Sequence, residues 1–394
     1  METITAATLA FPEQRSELMQ VPLIRPDLPS FESIEAQFRE ILANGKITNF
    51  SKYVGEFEKN ANEYLGAHTA TVSSGTMAMI FTLQALGLRK GQKVILPSFT
   101  FMATGQAVLY AGGVPVFAEV SDDLTLCPAD LERLLQKHQD VFGVIPVHMY
   151  GLPARTTEIQ SVVAAASEKL GRRLRVVYDA AHAFGSQRNG RKVGTFGDAE
   201  VFSLSVTKVV VTVEGGLVSS RDPDLIVRVK KMRNYGIESN YNACWPGMNG
   251  KMSEFHAIIG IENLKQLNAL MGQRTQHARY YFDRIRRTSQ FIPCAWPDNV
   301  VHTFKDLSVR VPVHLESKRD AVIAFLKDRG IETRAYFFPP LHEQEFFKAY
   351  ADRPLPLTER LSRAVITLPF FTTITEEQMN YVANALADAE RSLQ

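Results

Sequence analysis

Two periodicities alternate along the chain from about residue 31. FESIEAQFREIL places its apolar residues at helical spacing, and MAMIFTLQALGL and TTEIQSVVAAASEKLG are helical segments too. Between the helical segments stand short runs rich in β-branched residues: TATVSS, KVILPS, VPVFAEV, VFGVIPVH, RLRVVYDA and DAEVFSLS. Consecutive apolar residues in runs this short mark strands buried on both faces. Strands alternating with helices predict an α/β domain around a largely parallel sheet.

The pattern then changes. SEFHAIIGIENLKQLNALMGQRTQHARYYFDRIRRT reads as one helix or two running out of that domain. HTFKDLSVRVPV reads as a strand, SKRDAVIAFLKDRG as a helix ended by Gly330, and TRAYFFPP as a second strand. ITEEQMNYVANALADAERSL is an amphipathic helix opened by a capping box of Thr375 with Gln378. Four prolines and several polar residues make residues 1–30 an arm. The expected division is an arm over 1–30, a large α/β domain over 31–265 and a smaller α+β domain over 266–394.

Composition narrows the function classes. Against 44 Lys and Arg stand 42 Asp and Glu, a net charge of +2, so no basic excess points to nucleic acid. Cys127, Cys244 and Cys294 are far apart and form no CxxC pair, which argues against a disulfide framework and a structural zinc site. The N-terminus lacks the basic start and apolar core of a signal peptide, and no run approaches the ~18 apolar residues of a membrane span. The expectation is a cytoplasmic enzyme without a metal. There is no GxxxxGKS/T phosphate loop, no GxGxxG after a strand, no HExxH and no GxSxG.

Four local features carry chemistry. Ser73-Ser74-Gly75-Thr76 is a small-residue turn opening a helix, where free N–H groups and the positive dipole end suit a phosphate; alone, it could be a plain N-cap. Asp179-Ala180-Ala181-His182 puts a carboxylate at the C-terminal end of a buried strand, where open α/β sheets hold ligands; alone, it could cap the next turn. Ser203-Leu204-Ser205-Val206-Thr207-Lys208 sets a lone lysine between apolar segments, either a surface loop or an amine with a lowered pKa suited to bonding a carbonyl. Glu214-Gly215-Gly216 permits a tight, close-packed turn. A phosphate turn, an Asp at a strand end and a Ser five residues before a Lys, in that order, meet the needs of pyridoxal 5′-phosphate (PLP): donors for the phosphate, an anion for the ring nitrogen and an amine for the aldehyde.

At these residues the chain resembles the DegT/StrS-type sugar aminotransferases, members of the fold-type I, aspartate aminotransferase-like PLP enzymes. SSGTMAM, LPSFTFMATGQAV, AGGVPVFAEV, PVHMYG, YDAAHAFG, GTFGDAEVFSLSVTKVVVTVEGG, GMNGKMSEFHA and TRAYFFPPLH follow in the family's order, from about residue 45 to the C-terminus. The resemblance implies that Lys208 bonds the cofactor and moves the proton, and that Asp179 pairs with the ring nitrogen. It implies that Gly75, Thr76 and Ser203 hold the phosphate, that Phe101 stacks on the ring, and that His182 lies beside the ring or its phenolic oxygen. Asn249 would reach the phosphate in a neighbouring subunit, giving a homodimer with shared sites. Phe101 as core, His182 as a hydrogen-bonded core histidine and Asn249 as a turn residue stay open.

Two departures stand out. Many members read TxGEGG where this chain has Thr212-Val213-Glu214-Gly215-Gly216, and NxRM where it has Asn249-Gly250-Lys251-Met252. The second resembles a subgroup with desosamine-pathway and viosamine-type C-4 aminotransferases. The implied reaction moves an amino group from L-glutamate to C-4 of a dTDP-4-keto-6-deoxyhexose, a nucleotide-sugar substrate. Relatives with histidine in place of the lysine are dehydratases, a branch that Lys208 disfavours. Tyr336, His342 and Lys251 are candidate substrate contacts, with a structural role equally open for each. Another carbonyl (a C-3 keto sugar, a cyclitol or a keto-sugar acid) and a catalytically idle PLP-fold regulator remain as alternatives.

Overall fold

The six apolar runs fold as strands of one sheet: β1 (His68–Val72), β2 (Lys93–Pro97), β3 (Val114–Ala118), β4 (Val141–Val144), β5 (Arg175–Asp179) and β6 (Ala199–Ser203). The computed structural model describes residues 19–393, so residues 1–18 of the expected arm lie outside it. A seventh strand, β7 (Gly216–Ser220), escaped the sequence reading because it opens on Gly-Gly and closes on Ser-Ser, both of which read as turn. The sheet order is β1-β7-β6-β5-β4-β2-β3. Neighbours from β6 to β3 are parallel, whereas β7 runs antiparallel to both β1 and β6. Its first residue, Gly216, lies opposite Val72 on one side and Ser203 on the other. The ends of β1 and β6, remote in sequence, are thereby drawn together.

Each central strand buries both faces, with successive side chains entering different cores. Ile95 of β2 and Val176 and Tyr178 of β5 pack on one side; Val94, Leu96 and Val177 pack on the other. The first side is covered by α1 (Phe31–Asn44), α2 (Lys52–Leu65), α5 (Pro128–Lys137), α6 (Thr156–Lys169) and the start of α8 (Glu254–Thr288). The second is covered by α3 (Gly75–Ala85), α4 (Met102–Tyr110) and α7 (Pro223–Met232). This is a mixed, mostly parallel α/β domain, as expected.

The long helical stretch is one helix. Ala257, Ile258, Ile261, Leu267 and Met271 of α8 belong to the first core, while Ala278, Tyr281, Phe282 and Ile285 belong to a separate core. We propose that the two domains divide within this helix. The second core is built on β8 (Ile292–Pro293), β9 (Leu307–Arg310) and β10 (Val365–Leu368), a three-stranded antiparallel sheet. It carries α9 (Arg319–Lys327), α10 (Pro356–Ala364) and α11 (Glu376–Leu393). The capping box that opens α11 is present: Thr375 N–H donates to Gln378 Oε1 and Gln378 N–H to Thr375 Oγ1, both at 3.1 Å. Gly330 follows α9 at φ +73°, a conformation glycine adopts without steric cost.

Two expectations need correction. TRAYFFPP is not a strand: Arg334 pairs once with Thr367, and the chain then turns, with Phe338 N–H on the Ala335 carbonyl. Pro339 and Pro340 have no N–H to continue a ladder. The described part of the arm has little regular structure, as expected, yet it is packed. Val21 and Leu23 are buried, and Val21 bridges Ile331. Phe370 N–H donates to the Leu23 carbonyl at 3.0 Å, and Thr372 Oγ1 donates to Asp27 Oδ2 at 2.6 Å.

Candidate active site

A cavity of about 410 Å³ opens at the C-terminal ends of the parallel strands, between the sheet and the smaller domain. Its lining includes Gly75, Thr76, Phe101, Asp179, His182, Ser203 and Lys208, seven residues expected at the site from sequence.

The turn after β1 leads into α3. Ser74 is the extended N-cap, its Oγ accepting from Met77 N–H at 3.2 Å. The N–H groups of Gly75 and Thr76 stand in the first helical turn, where no preceding carbonyl can accept them. Glycine is required here by close approach. A Cβ on Gly75 would stand 2.9 Å from Ser203 Cβ, and one on Gly216 would stand 2.3 Å from the Ser74 carbonyl oxygen. Ser203 Oγ reaches Ser205 Oγ at 3.4 Å, so two hydroxyls line the place where the helix N-terminus opens.

Asp179 ends β5 with both carboxylate oxygens engaged. Thr104 Oγ1 donates to Oδ2 at 2.7 Å, and Ala181 N–H donates to Oδ1 at 3.1 Å. Thr100 Oγ1 stands 2.9 Å from Thr104 Oγ1, extending the chain of hydroxyls. The backbone is fixed as well, by Asp179 N–H on the Pro146 carbonyl and His148 N–H on the Asp179 carbonyl, both 2.9 Å. The turn-capping reading of this residue is therefore true in part, and it orients the carboxylate.

Lys208 sits on the loop between β6 and β7. That loop is closed by Leu204 N–H on the Gly215 carbonyl and Thr212 N–H on the Leu204 carbonyl, and Val209, Val210 and Val211 are buried beyond it. Burial, then the charge of Lys305, lowers the Lys208 amine to about 8, against the pull of Asp306, Asp179 and Glu214. His182 is buried, its ring stacked on Phe337 at 6.2 Å. Burial first, and then Lys208 and Lys305, push it well below the usual imidazole value, so the ring is neutral. Its Nδ1 has no hydrogen-bond partner and stands 3.9 Å from Asp306 Oδ2, which also has none.

Phe101 is about half exposed and lines the cavity beside Phe337, ring centres 6.0 Å apart, so it is not a core residue. Tyr336 also lines the cavity. Three candidates are placed elsewhere. Asn249 is exposed and bridges Asn234 through its backbone. Lys251 Nζ lies 3.5 Å from Asn234 Oδ1. His342 is tied to Ser98 Oγ at 2.6 Å and to Glu359 Oε1 at 3.2 Å, in a buried brace outside the cavity lining. Sequence reasoning missed Thr104, Lys305 and Phe337. Thr104 stands four residues after Thr100, and Lys305 stands between Phe304 and Asp306 in HTFKDLSVRVPV; neither spacing points to a partner.

An amine lowered toward neutrality, a fixed carboxylate and an anion cradle around one cavity define a PLP-dependent transferase of fold-type I. The chain belongs to the DegT/DnrJ/EryC1/StrS aminotransferase family, whose profile matches residues 30–387. It is 34% identical over 81% of its length, and 84% of the relative's, to a UDP-N-acetyl-3-dehydro-α-D-glucosamine 3-aminotransferase of Acidithiobacillus ferrooxidans. It is 28% identical to a dTDP-4-amino-4,6-dideoxy-D-glucose transaminase of Escherichia coli, covering 91% of this chain and 95% of that one. Among solved structures it resembles DesI in the presence of its TDP-sugar product, with TM-score 0.87, 30% identity, and coverage of 95% and 94% of the two chains. The cofactor is PLP. The residues present fit it: the helix N-terminus at Gly75 and Thr76 and the Ser203 hydroxyl line the cavity with donors for a phosphate, and Asp179 is held ready for a ring N–H.

Proposed function

We propose that this aminotransferase moves an amino group from L-glutamate to C-4 of a dTDP-4-keto-6-deoxyhexose, giving a 4-amino-4,6-dideoxy sugar nucleotide. The observation that carries the reading is the convergence of Lys208, Asp179 and the Gly75–Thr76 turn on one cavity. When bound, PLP supplies an aldehyde that bonds amines and a ring that stabilises negative charge on the adjoining carbon. The protein does the rest. Gly75, Thr76 and Ser203 hold the phosphate, Asp179 keeps the ring nitrogen protonated, and Phe101 covers a ring face. His182, neutral and buried, contacts the ring without adding a second positive charge. Lys208 Nζ, lowered to about 8, has a sizeable amine fraction near neutral pH; it takes the proton from the donor carbon and later returns one to the sugar carbon.

The RAYFFPPLH segment and the name of the Escherichia coli relative support C-4 and dTDP. The Acidithiobacillus relative favours a second reading, amination at C-3 of a UDP sugar. The intact Lys208 argues against an idle regulator. Exposed Asn249, with Tyr241, Trp245 and Met248 exposed nearby in sequence, supports a second copy of the chain covering this face in a homodimer with shared sites. Among the described residues no helix is long and apolar enough to cross a membrane, and we infer a cytoplasmic location from the composition.

The test is the absorbance of the PLP-loaded protein. Glutamate should bleach the cofactor band, and dTDP-4-keto-6-deoxyglucose should restore it. Restoration only by a 3-keto UDP sugar would select the second reading, and failure of glutamate to bleach the band would remove glutamate as donor.

A further inference from the structure

Lys305 has figured so far only through its charge, which helps to lower Lys208 and His182. It lies between β8 and β9, in the smaller domain, and lines the cavity with Lys208. Only 6% of it is exposed, yet its ammonium makes one hydrogen bond, to Asp306 Oδ1 at 2.7 Å. An ammonium carries three donors, so two N–H groups are unspent in a buried place, which is costly unless a ligand takes them. Nζ also stands 5.6 Å from the centre of the Tyr336 ring, a weaker partner.

The backbone is held to put it there. Phe304, the preceding residue, sits at φ +47°, a region that bulky residues avoid. The buried Arg274 braces that turn, with Nε on the Thr303 carbonyl at 2.9 Å and Nη2 on the Phe304 carbonyl. Strain maintained by such a brace is a mark of functional positions.

The other groups of the cavity are already committed. Lys208 is consumed in bonding the cofactor, His182 is neutral, and no arginine of the described residues lines the cavity. Lys305, ion-paired with Asp306, is thus the one ammonium among the described lining residues that the cofactor does not consume. A second carboxylate can accept the two donors that Asp306 leaves, as charge-assisted hydrogen bonds.

We propose that Lys305 binds a carboxylate of the amino donor. This rests on the aminotransferase reading above. Glutarate, a dicarboxylate with no amino group, probes the site without reaction. In calorimetric titration of the PLP-loaded protein, Lys305→Met should weaken glutarate by about 10- to 100-fold. The glutamate concentration that half-bleaches the cofactor band should rise by the same factor, and Lys305→Arg should recover most of the loss. Because Lys305 also lowers the Lys208 amine, the rates of both half-reactions shift together in Lys305→Met; the half-saturating concentration of an amino-sugar nucleotide in the reverse half-reaction, and the binding of dTDP, should change less than about threefold. Unchanged glutarate affinity in Lys305→Met overturns the proposal. So does an equal loss of affinity for glutamate and for the amino-sugar nucleotide, loss confined to dTDP, or loss of the cofactor band in both Lys305→Met and Lys305→Gln. If the band of the wild-type protein responds to neither glutamate nor amino sugar, the aminotransferase reading itself fails, an outcome separate from these.

Discussion

The two walls of the cavity differ in how their polar groups are satisfied. On the sheet side, both oxygens of Asp179 are engaged, Ser74 caps α3, and the glycines pack backbone on backbone. On the side of the smaller domain, Lys305 keeps two donors unspent, and Asp306 Oδ2 and the neighbouring His182 Nδ1 have no partner. A group that never leaves its site is best met by a preorganised wall. A wall that receives two different substrates in turn must keep its donors and acceptors free for them. On the proposed roles, the contrast separates what holds the cofactor from what greets the substrate.

The comparison can be broken most strongly through Lys208. Its amine is lowered from 10.5 to about 8, so between those values the unfolded apoprotein binds more protons than the folded one. Stability therefore rises with pH across that window, and the cost of the buried ammonium is fully present below pH 8. At pH 7, apo Lys208→Met should be more stable than wild type by up to about 3 kcal/mol, an advantage that fades as pH rises toward 10.5. Paired urea melts at several pH values measure it.

Gly216→Ala attacks the sheet-side wall, because a Cβ there meets the Ser74 carbonyl group and Gly75 N within 2.7 Å. It should cost about 2 kcal/mol of stability and weaken PLP at least tenfold, read by thermal melts and cofactor titration. Thr104→Val removes one donor from Asp179 and should weaken PLP about five- to tenfold, with little change in the melting temperature of the apoprotein.

The smallest effect concerns the TxGEGG departure. Val213 stands where many members have glycine, and it adopts φ +68°, a left-handed conformation unfavourable for a β-branched residue. Val213→Gly should stabilise the protein by about 1 kcal/mol in urea melts without altering cofactor affinity.

The sheet-side wall was legible in the sequence because its residues sit where strands end and helices begin, and those places carry punctuation: Ser-Gly-Thr after β1, Asp after β5, Ser at the end of β6. β7 was hidden because its flanking Gly-Gly and Ser-Ser pairs imitate a loop, although its first glycine is what joins β1 to β6. The other wall was mostly illegible. Lys305 and Phe337 reach the cavity only because a turn braced by Arg274 and a non-strand segment after Arg334 both fold back onto the sheet, and no local spacing encodes such returns. His342 shows the converse: a histidine in a motif of the family, equally open to a structural reading, is held by Ser98 and Glu359 outside the cavity lining.

The central claim assigns the covalent task to one of two neighbouring lysines. Borohydride reduction of the PLP-loaded protein, followed by peptide mass spectrometry, locates the bond directly. The pyridoxyl mass should fall on the peptide containing Lys208, with Lys305 unmodified. A label on Lys305, or none on Lys208 in protein that shows the cofactor band, would contradict the account.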